Sequence, residues 1–431
     1  MNILKDLKDQ LITWRRDFHR YPETGFLEMR TASIVASVLD QLGFALDLGK
    51  DVMSLEHCMG KPNEAITSNH YEWARNNGAA EMYLDYFKEG YTGIVATWDT
   101  NRKGPTIAYR VDMDALDILE ADDHDHFPFH EGFRSRQEQK MHACGHDAHT
   151  SIGLGLATLI AKNHSRLQGK IKLIFQPAEE GTRGAKSMVE AGVVSDVDYF
   201  IASHIGLDVP DKHFVAANNG YLATSKMDIT FRGKASHAGA NPENGKNALL
   251  AAATAVTNMY AVSRHSGGSS RVNVGEMHAG SGRNIIPAEA ILKVETRGER
   301  SDINAYIKER IEAIATGTAA MYELEAEIEL VGEGINCDCS DSLARVMQKC
   351  AGDVSDIEES VLENNDITGS EDATYFMKEV QDNGGLATYC VFGTELAAGH
   401  HNERFDIRED TLFPAVQVLF ESAVKLGDRK V

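Results

Sequence analysis

The chain lacks any long hydrophobic run. Its longest nearly uncharged apolar stretch, residues 152–161, is much shorter than the roughly 20 residues that span a bilayer. Residues 1–6 do not have the apolar core of a signal peptide either. We therefore expect a cytoplasmic protein that does not enter a membrane.

Cysteine and positive charge are also scarce. The six cysteines are scattered over 431 residues, a distribution typical of reduced thiols and not of a secreted disulfide framework. Lysine and arginine number 43 against 65 aspartates and glutamates, which gives a formal net charge of −22. A field of this sign repels nucleic acids and anionic membranes, so we expect neither as a partner. An anionic substrate would need local arginines.

The length and composition indicate a globular protein of two domains. Of the 431 residues, 42% are hydrophobic and 25% charged, and one hydrophobic core rarely serves so long a chain. Alternating strand and helix patterns over residues 1–222 and 333–431 predict an α/β domain with a doubly wound, mostly parallel sheet. A polar, helix-prone insertion interrupts this domain at about 51–90. Residues 223–332 follow the order βαββαβ, which is typical of an inserted ferredoxin-like domain.

The densest group of potential metal ligands lies between Met141 and Thr150, just before an apolar, helix-like run. It contains one cysteine and three histidines. A zincin motif is excluded because Asp147, and not a glutamate, follows His146. Cys144 and His146 are separated by one residue at the start of the predicted helix. A turn there can direct a thiolate and an imidazole to one divalent metal.

Further candidate ligands follow other predicted strands. They are the pair Glu179-Glu180, His204 and the pair His400-His401, while Asp112 and Asp114 lie at the end of one more strand. Because the carboxyl ends of parallel strands meet at one edge of a sheet, we expect these side chains near Cys144 and His146. Metal-assisted hydrolysis also needs a general base, and adjacent glutamates can divide the roles of ligand and base.

Other interpretations remain open for these residues. The glutamate pair could simply favour the start of a helix through the helix dipole. Cys144 could be a nucleophile, although a cysteine protease does not require the extra carboxylates and late histidines. On the first predicted helix, we interpret Arg15, Arg16 and His19 as a solvated polar face.

Six motifs together resemble one known family. They are Arg15-Arg16-x-x-His19-x-x-Pro22-Glu23, Asp112-x-Asp114-Ala115-Leu116, Met141 to Thr150, Gln176 to Gly181, Ser236 to Gly239 and Gly282 to Pro287. This set resembles the amidohydrolase branch of the aminoacylase/carboxypeptidase metallopeptidase family, and the resemblance covers nearly the whole chain. It implies hydrolysis of an aroyl-glutamate or a similar N-acyl amino acid. The alternatives are an aminoacylase or peptidase of other specificity, and a non-catalytic partner subunit.

The resemblance also implies a centre of two divalent metal ions, manganese or zinc. Cys144 would bridge the two ions. His146 and His204 would complete one site, and Glu180 and His401 would complete the other. The choice of His401 over its neighbour rests on the small polar residue that follows it.

Catalytic roles follow from the same resemblance. Glu179 would be the general base. His237, on the inserted domain, would reach across a dimer to stabilise the oxyanion. The family often has a histidine where this chain has Asp112, so we expect Asp112, like Asp114, near the site and not among the ligands. The dimer would be a homodimer or a hetero-oligomer with a related subunit.

Substrate recognition would involve the inserted domain. Asn273 matches a family position that resembles a contact to the substrate carboxylate. Arg283 and Arg297 lie nearby in sequence, and arginine suits bidentate binding of carboxylates. Arg183, which follows the glutamate pair, is the next candidate.

Overall fold

The computed structural model describes residues 3–366 and 369–428. In this part of the chain the strands are β1 Ala45–Leu48, β2 Ile94–Asp99, β3 Thr106–Asp112, β4 Lys170–Gln176, β5 Tyr199–Ile205, β6 His213–Val215, β7 Ala223–Arg232, β8 Ser270–Ala279, β9 Glu289–Gly298, β10 Glu325–Gly334, β11 Glu359–Val361 and β12 Leu386–Phe392. The helices are α1 Ile3–Arg20, α2 Met29–Leu42, α3 Glu64–Asn76, α4 Glu81–Leu84, α5 Phe127–His130, α6 His146–Lys162, α7 Ala185–Glu190, α8 Ala248–Tyr260, α9 Ser301–Met321, α10 Asp341–Gly352, α11 Thr374–Asp382 and α12 Leu412–Gly427.

The described residues form two compact units. The first unit comprises the residues up to 219 together with 337–366 and those from 372 onward. The second unit comprises residues 220–336 and 369–371. None of the helices in the described ranges has the length and apolar character that crossing a membrane requires.

The first unit contains an eight-stranded sheet in the order β1-β2-β4-β3-β5-β12-β6-β11. The pairs β3–β4, β3–β5 and β5–β12 at its centre are parallel, and antiparallel pairs occur toward both ends. Nearly all of β3 and β5 is buried, as expected for strands covered on both faces. The prediction of an α/β fold with a large, mostly parallel sheet is confirmed.

Helix α6 packs against the sheet and against α1 and α12, so its middle is buried on every side. Two glycines allow this close packing. A Cβ atom added at Gly153 would lie 2.8 Å from the ring of Phe175, and one at Gly155 would lie 2.7 Å from both Leu11 and Val416. Any side chain at either glycine would force the helix away from its neighbours.

The carboxyl ends of the parallel strands meet at one edge of the sheet. Asp112, the last residue of β3, pairs with Gln176, the last residue of β4. Two predicted boundaries were wrong at this edge. Helix α6 begins at His146 and not near residue 151, and His204 lies within β5 and not after it. Both differences carry candidate ligands from loops onto regular elements, where the backbone fixes their directions.

The polar stretch at 51–90, which the sequence predicts to be a helix-prone insertion, contains two helices. Helices α3 and α4 lie in it, with short 3₁₀ turns before them. Asn63 caps α3, because its side-chain oxygen accepts a hydrogen bond from Ile66 N.

The second unit has the order β7-α8-β8-β9-α9-β10. Its four strands form an antiparallel sheet in the spatial order β10-β7-β9-β8. Helices α8 and α9 pack on this sheet, and the core between them includes Met227, Ile229, Phe231, Leu292, Ile307 and Ile311. Strand β8 is at one edge, and most of its residues are exposed.

Candidate metal centre

Cys144 and His146 flank a glycine that has a left-handed conformation. Gly145 has φ 92°, and a Cβ atom there would lie 2.7 Å from Ile205 Cγ2. Only glycine fits this turn without strain. The turn brings Cys144, His146 and Glu180 together, because one ligand atom of each lies within 4.8 Å of the others.

His204 has its lone pair directed at Cys144. Its Nδ1 donates to the carbonyl of Ile205 at 2.8 Å, and its Nε2 lies 3.5 Å from Cys144 Sγ. Burial lowers the pKa of His204 well below its usual value, and the nearby rings of His149 and His400 lower it further. A neutral imidazole with Nδ1–H bound to a carbonyl is the form that binds a metal through Nε2.

The glutamate pair lies in a sharply turned loop between β4 and α7, residues 177–184, here called the glutamate loop. Asp114 accepts hydrogen bonds from Glu179 N at 3.0 Å and from Glu180 N at 2.9 Å. One carboxylate therefore fixes the backbone of both glutamates. Glu179 Oε2 lies 3.8 Å from His146 Nε2, and Glu180 Oε1 lies 3.4 Å from His401 Nε2.

The adjacent histidines, His400 and His401, have different surroundings. Leu207 N donates to His400 Nε2 at 3.1 Å, which places the proton of a neutral ring on Nδ1, 3.6 Å from Cys144 Sγ. Burial, with His401 nearby, lowers the pKa of His400 to about 4. The close contacts with Cys144 and Glu180 raise the pKa of His401 to about 10. One nitrogen of His400 is engaged by Leu207 N, and the ring forms a candidate ligand group with Cys144 and His204, whereas His401 Nε2 faces the carboxylate of Glu180.

Asp112 supports the site from the end of β3. Its Oδ2 accepts from Arg110 Nη1 at 2.7 Å, and its Oδ1 accepts from His149 Nδ1 at 2.6 Å. Ile205 N donates to His149 Nε2 at 3.0 Å, so both nitrogens of His149 are engaged. Burial alone would raise the pKa of Asp112, but His146, with Arg110 and His149, holds that pKa well below its usual value.

The residues present fit a divalent metal. Within the described ranges, both ring nitrogens of His146 and the Oε1 atom of Glu180 are buried and make no hydrogen bond of normal geometry, although His146 Nδ1 lies 3.3 Å from Asp114 Oδ1 and Glu180 Oε1 lies 3.4 Å from His401 Nε2. Unsatisfied buried polar atoms are rare because they cost free energy. The side chains that carry them converge with the thiol of Cys144. A thiolate, imidazoles and a carboxylate form a ligand set that suits zinc or a similar transition metal.

The interpretation of α1 as carrying a solvated polar face was wrong for two of its three residues. Arg15 and His19 are completely buried. Arg15 Nε donates to Asp147 at 3.0 Å, and the same carboxylate lies 2.8 Å from His19 Nδ1. Asp147 directly follows His146, so this ion-pair network holds the first turn of α6. Arg16 is partly exposed and pairs with Glu409.

The predicted residues of the second unit are more exposed. His237 is exposed, and its Nδ1 accepts from Gly239 N at 3.2 Å and Ala240 N at 3.0 Å. A neutral ring then carries its proton on Nε2 as a donor. Asn273 is exposed on β8, and Arg283 is exposed in the turn before β9.

Two other arginines suggested by the sequence are already engaged. Arg297 forms a two-pronged pair with Glu295 at 2.9 and 3.0 Å. Arg183 donates to the carbonyls of Glu180 and Gly60 at 3.0 and 3.3 Å. Both are therefore weaker candidates for substrate binding than Arg283.

Comparisons with known proteins agree with this site. The sequence profile of peptidase family M20/M25/M40 matches residues 108–425. The chain is 51% identical to the indole-3-acetyl-aspartic acid hydrolase of Enterobacter agglomerans and 50% identical to one subunit of the p-aminobenzoyl-glutamate hydrolase of Escherichia coli (strain K12). Each match covers 98% of this chain and 97% of the relative. The crystal structure of the aminobenzoyl-glutamate utilization protein from Klebsiella pneumoniae has a TM-score of 0.87 at 44% identity, over 99% of this chain and 98% of that chain. The resemblance drawn from the motifs is confirmed.

Proposed function

This chain belongs to peptidase family M20/M25/M40 and is a hydrolase of amide bonds, and from that premise we propose that it releases aspartate or glutamate from an N-acyl conjugate. The observation that carries the proposal is the convergence of ligand atoms from Cys144, His146 and Glu180, with His204 Nε2 3.5 Å from the same Cys144 Sγ. The names of the two relatives support the substrate class, because each places an acidic amino acid on the amine side of the amide. Their acyl groups differ, so p-aminobenzoyl-glutamate is one candidate among such conjugates.

The catalytic centre would hold two divalent ions, manganese or zinc, with Cys144 as the bridging ligand. His146 and His204 would bind one ion, and Glu180 and His401 would bind the other. When bound, such ions supply Lewis acidity, which acidifies water and polarises the amide carbonyl. His401 is preferred to its neighbour because Leu207 N occupies His400 Nε2, whereas His401 Nε2 lies 3.4 Å from Glu180 Oε1, the other proposed ligand of that ion.

Glu179 is the proposed general base. It would take a proton from the attacking water and return it to the leaving amine. Its backbone is fixed by Asp114, and its carboxylate lies beside His146. His237 would stabilise the oxyanion that forms on the carbonyl oxygen by donating a hydrogen bond to it from Nε2–H.

The acidic product would be bound by residues of the second unit. Arg283 is exposed, and it forms no ion pair with any described residue. A guanidinium without a carboxylate partner can bind a substrate carboxylate in bidentate fashion. Asn273 would contribute an amide donor from the edge strand β8. Arg297 would need to leave Glu295 to take part.

We also propose that the second unit is a ferredoxin-like lid and dimerisation domain. Its strand order β10-β7-β9-β8 and its two helices on one face support this fold. The edge strand β8 and helix α8 expose Met277, Leu250 and Tyr260, with about half of each side chain accessible. Such an edge can pair with a second copy. The name of one relative describes it as part of a larger assembly, so a hetero-oligomer is the other form of the same proposal.

A direct assay tests the proposed activity. Purified protein loaded with manganese or zinc is offered p-aminobenzoyl-glutamate, indole-3-acetyl-aspartate and p-aminobenzoyl-glutamine, and the free amino acid is measured. We expect hydrolysis of the two acidic conjugates, with kcat/KM at least about tenfold higher for the glutamate conjugate than for its glutamine analogue. Hydrolysis of none of them would refute the proposed function. Equal rates for the glutamate and glutamine conjugates would refute the acidic specificity.

A further inference from the structure

The glutamate loop has a strained backbone. Ala178 has φ 52° and Thr182 has φ 60°, both in the left-handed region that favours glycine. Residues other than glycine keep such conformations only where the surroundings hold them, and they are frequent at functional sites. The strain begins at the residue directly before Glu179. A contact from another part of the chain must therefore hold the backbone of Ala178 in its left-handed conformation.

Glu28 makes that contact. It is completely buried just before α2, and its Oε1 accepts a hydrogen bond from Ala178 N at 2.8 Å. Its Oε2 accepts from Thr92 Oγ1 at 2.6 Å, which fixes the carboxyl group from the other side. With the bonds from Asp114 to the two glutamates, three successive N–H groups of the loop end on buried carboxyl groups.

The far end of the glutamate loop is held in the same way. Asp372 accepts from Gly184 N at 3.0 Å and from Ala185 N at 2.9 Å. A Cβ atom at Gly184 would lie 1.8 Å from Pro177 O, so the loop closes tightly on itself. The two ends are thus anchored to segments that are distant in sequence. Glu28 holds the residue directly before the proposed base.

Glu28 can serve as an acceptor without a full negative charge. Burial, together with the nearby Asp114, raises the pKa of Glu28 to about 8. Burial thus disfavours the charged form of the group, and in either form one of its oxygens can accept from Ala178 N. For the hydrogen bond from Ala178 N, the position of the acceptor oxygen is therefore more important than the charge of the carboxyl group.

We infer that Glu28 is a positioning residue for catalysis: by accepting the Ala178 N–H it holds the left-handed turn that directs Glu179 and Glu180 to different places. Adjacent side chains can divide the roles of base and ligand only if the backbone between them is fixed. The inference rests on the proposed function for the role of Glu179. The contact between Glu28 and Ala178 does not depend on that function.

Two conservative variants separate geometry from charge. Glu28→Gln keeps an acceptor oxygen at nearly the same place and removes the charge. Glu28→Asp keeps the carboxylate but withdraws it by one methylene group. If position matters, the glutamine variant keeps kcat within about threefold of the parent, while the aspartate variant loses at least about tenfold in kcat with KM within about twofold.

Glu23 offers a matched control. It is another completely buried carboxylate of the same segment, and it accepts from Arg30 N at 2.9 Å and Thr31 N at 2.7 Å. It therefore holds the start of α2 and not the glutamate loop. Glu23→Asp should lower the melting temperature about as much as Glu28→Asp does, yet leave kcat per folded, metal-loaded chain unchanged.

A readout independent of activity is hydrogen exchange in the metal-free protein. We expect exchange at residues 177–184 to be at least about tenfold faster in Glu28→Asp than in the parent, and unchanged in Glu23→Asp. Metal content is measured for all variants. Parental kcat in Glu28→Asp, an equal loss in Glu28→Gln and Glu28→Asp, or a loss without faster exchange in the loop would each overturn the inference. A parent that hydrolyses no N-acyl amino acid would instead refute the proposed function, and the exchange measurement would still test the contact.

Discussion

The candidate residues of the two units differ in how firmly they are held. In the first unit, His146 and His204 are buried, and neighbouring groups fix the ring of His204. In the second unit, Asn273 and Arg283 are more accessible and make few contacts. Chemistry at a metal needs ligands held in advance, whereas recognition groups can be ordered by the substrate or by a partner. Substitutions in the first unit should therefore change metal content or kcat, and those in the second should leave the metals in place.

The largest effect is expected for Glu179→Ala. Loss of the base should lower kcat by about 10³-fold or more, because no carboxylate is then held beside the attacking water to accept its proton. Metal content, measured by elemental analysis, should remain at the parental value. Glu180→Ala is the matched control, since it should lower both metal content and rate. A near-parental rate in Glu179→Ala would show that the base has been assigned wrongly.

The adjacent histidines provide the second test. His401→Ala should remove about one metal ion per chain and with it most of the activity. His400→Ala should keep both ions, because the ring of His400 is engaged by Leu207 N and faces Cys144 as a donor. Metal counts after gel filtration distinguish the two variants. The reverse result would make His400 the last ligand.

Much of this site could be predicted because its chemistry is concentrated in short motifs. The positions of Cys144 and His146 next to an apolar helix indicated a metal, and strand ends gave the other candidate ligands. The burial of Arg15 could not be predicted, because its partner Asp147 is 132 residues away in sequence. A polar residue on an amphipathic helix has the same local pattern whether its partner is water or a distant carboxylate.

The fold was predicted best where strands are long and apolar. The short strands β6 and β11 have three residues each, too few to show a period. Helices α10 and α11 were missed although each has one apolar face. The contact of Glu28 to the glutamate loop has no local signal at all, since it depends on a chain separation of 150 residues.

A pH series tests the buried network of the first unit. Burial alone would lower the pKa of His19, but Glu120 and Asp147 raise it to about 9 from 6.5. The folded state therefore binds this proton more tightly, and the contribution is complete below pH 6.5 and lost as the pH rises through about 9. We expect a loss on the order of 3 kcal/mol in the free energy of unfolding over this range. Urea unfolding of His19→Gln should show a smaller decrease, and an identical decrease in both proteins would contradict the assignment.

His237 tests whether the second unit completes a site in a partner copy. His237→Ala should lower kcat by about 10²-fold, with unchanged metal content. Mixing this inactive chain with the inactive Glu179→Ala chain under exchange conditions should restore about a quarter of the parental activity if His237 acts across a dimer, because one site in half of the dimers is then intact. As the control, two separate preparations of the Glu179→Ala protein are mixed in the same way, and this mixture should regain no activity. If dimers that contain one chain of each variant form but regain no activity, His237 does not act in the active site of the partner subunit.

The smallest expected effects concern the substrate carboxylates. Arg283→Ala or Asn273→Ala should raise KM for an acyl-glutamate by about tenfold, or about 1.4 kcal/mol, with kcat and metal content near the parental values. Arg297→Ala is the matched comparison: this guanidinium is already paired with Glu295, so its removal should change KM less than the loss of Arg283 does. The same variants assayed on the glutamine analogue should show little change if Arg283 binds the side-chain carboxylate. An unchanged KM in both Arg283→Ala and Asn273→Ala would locate the carboxylate pocket elsewhere, and Arg183 would then need to release the carbonyls of Glu180 and Gly60 to bind substrate.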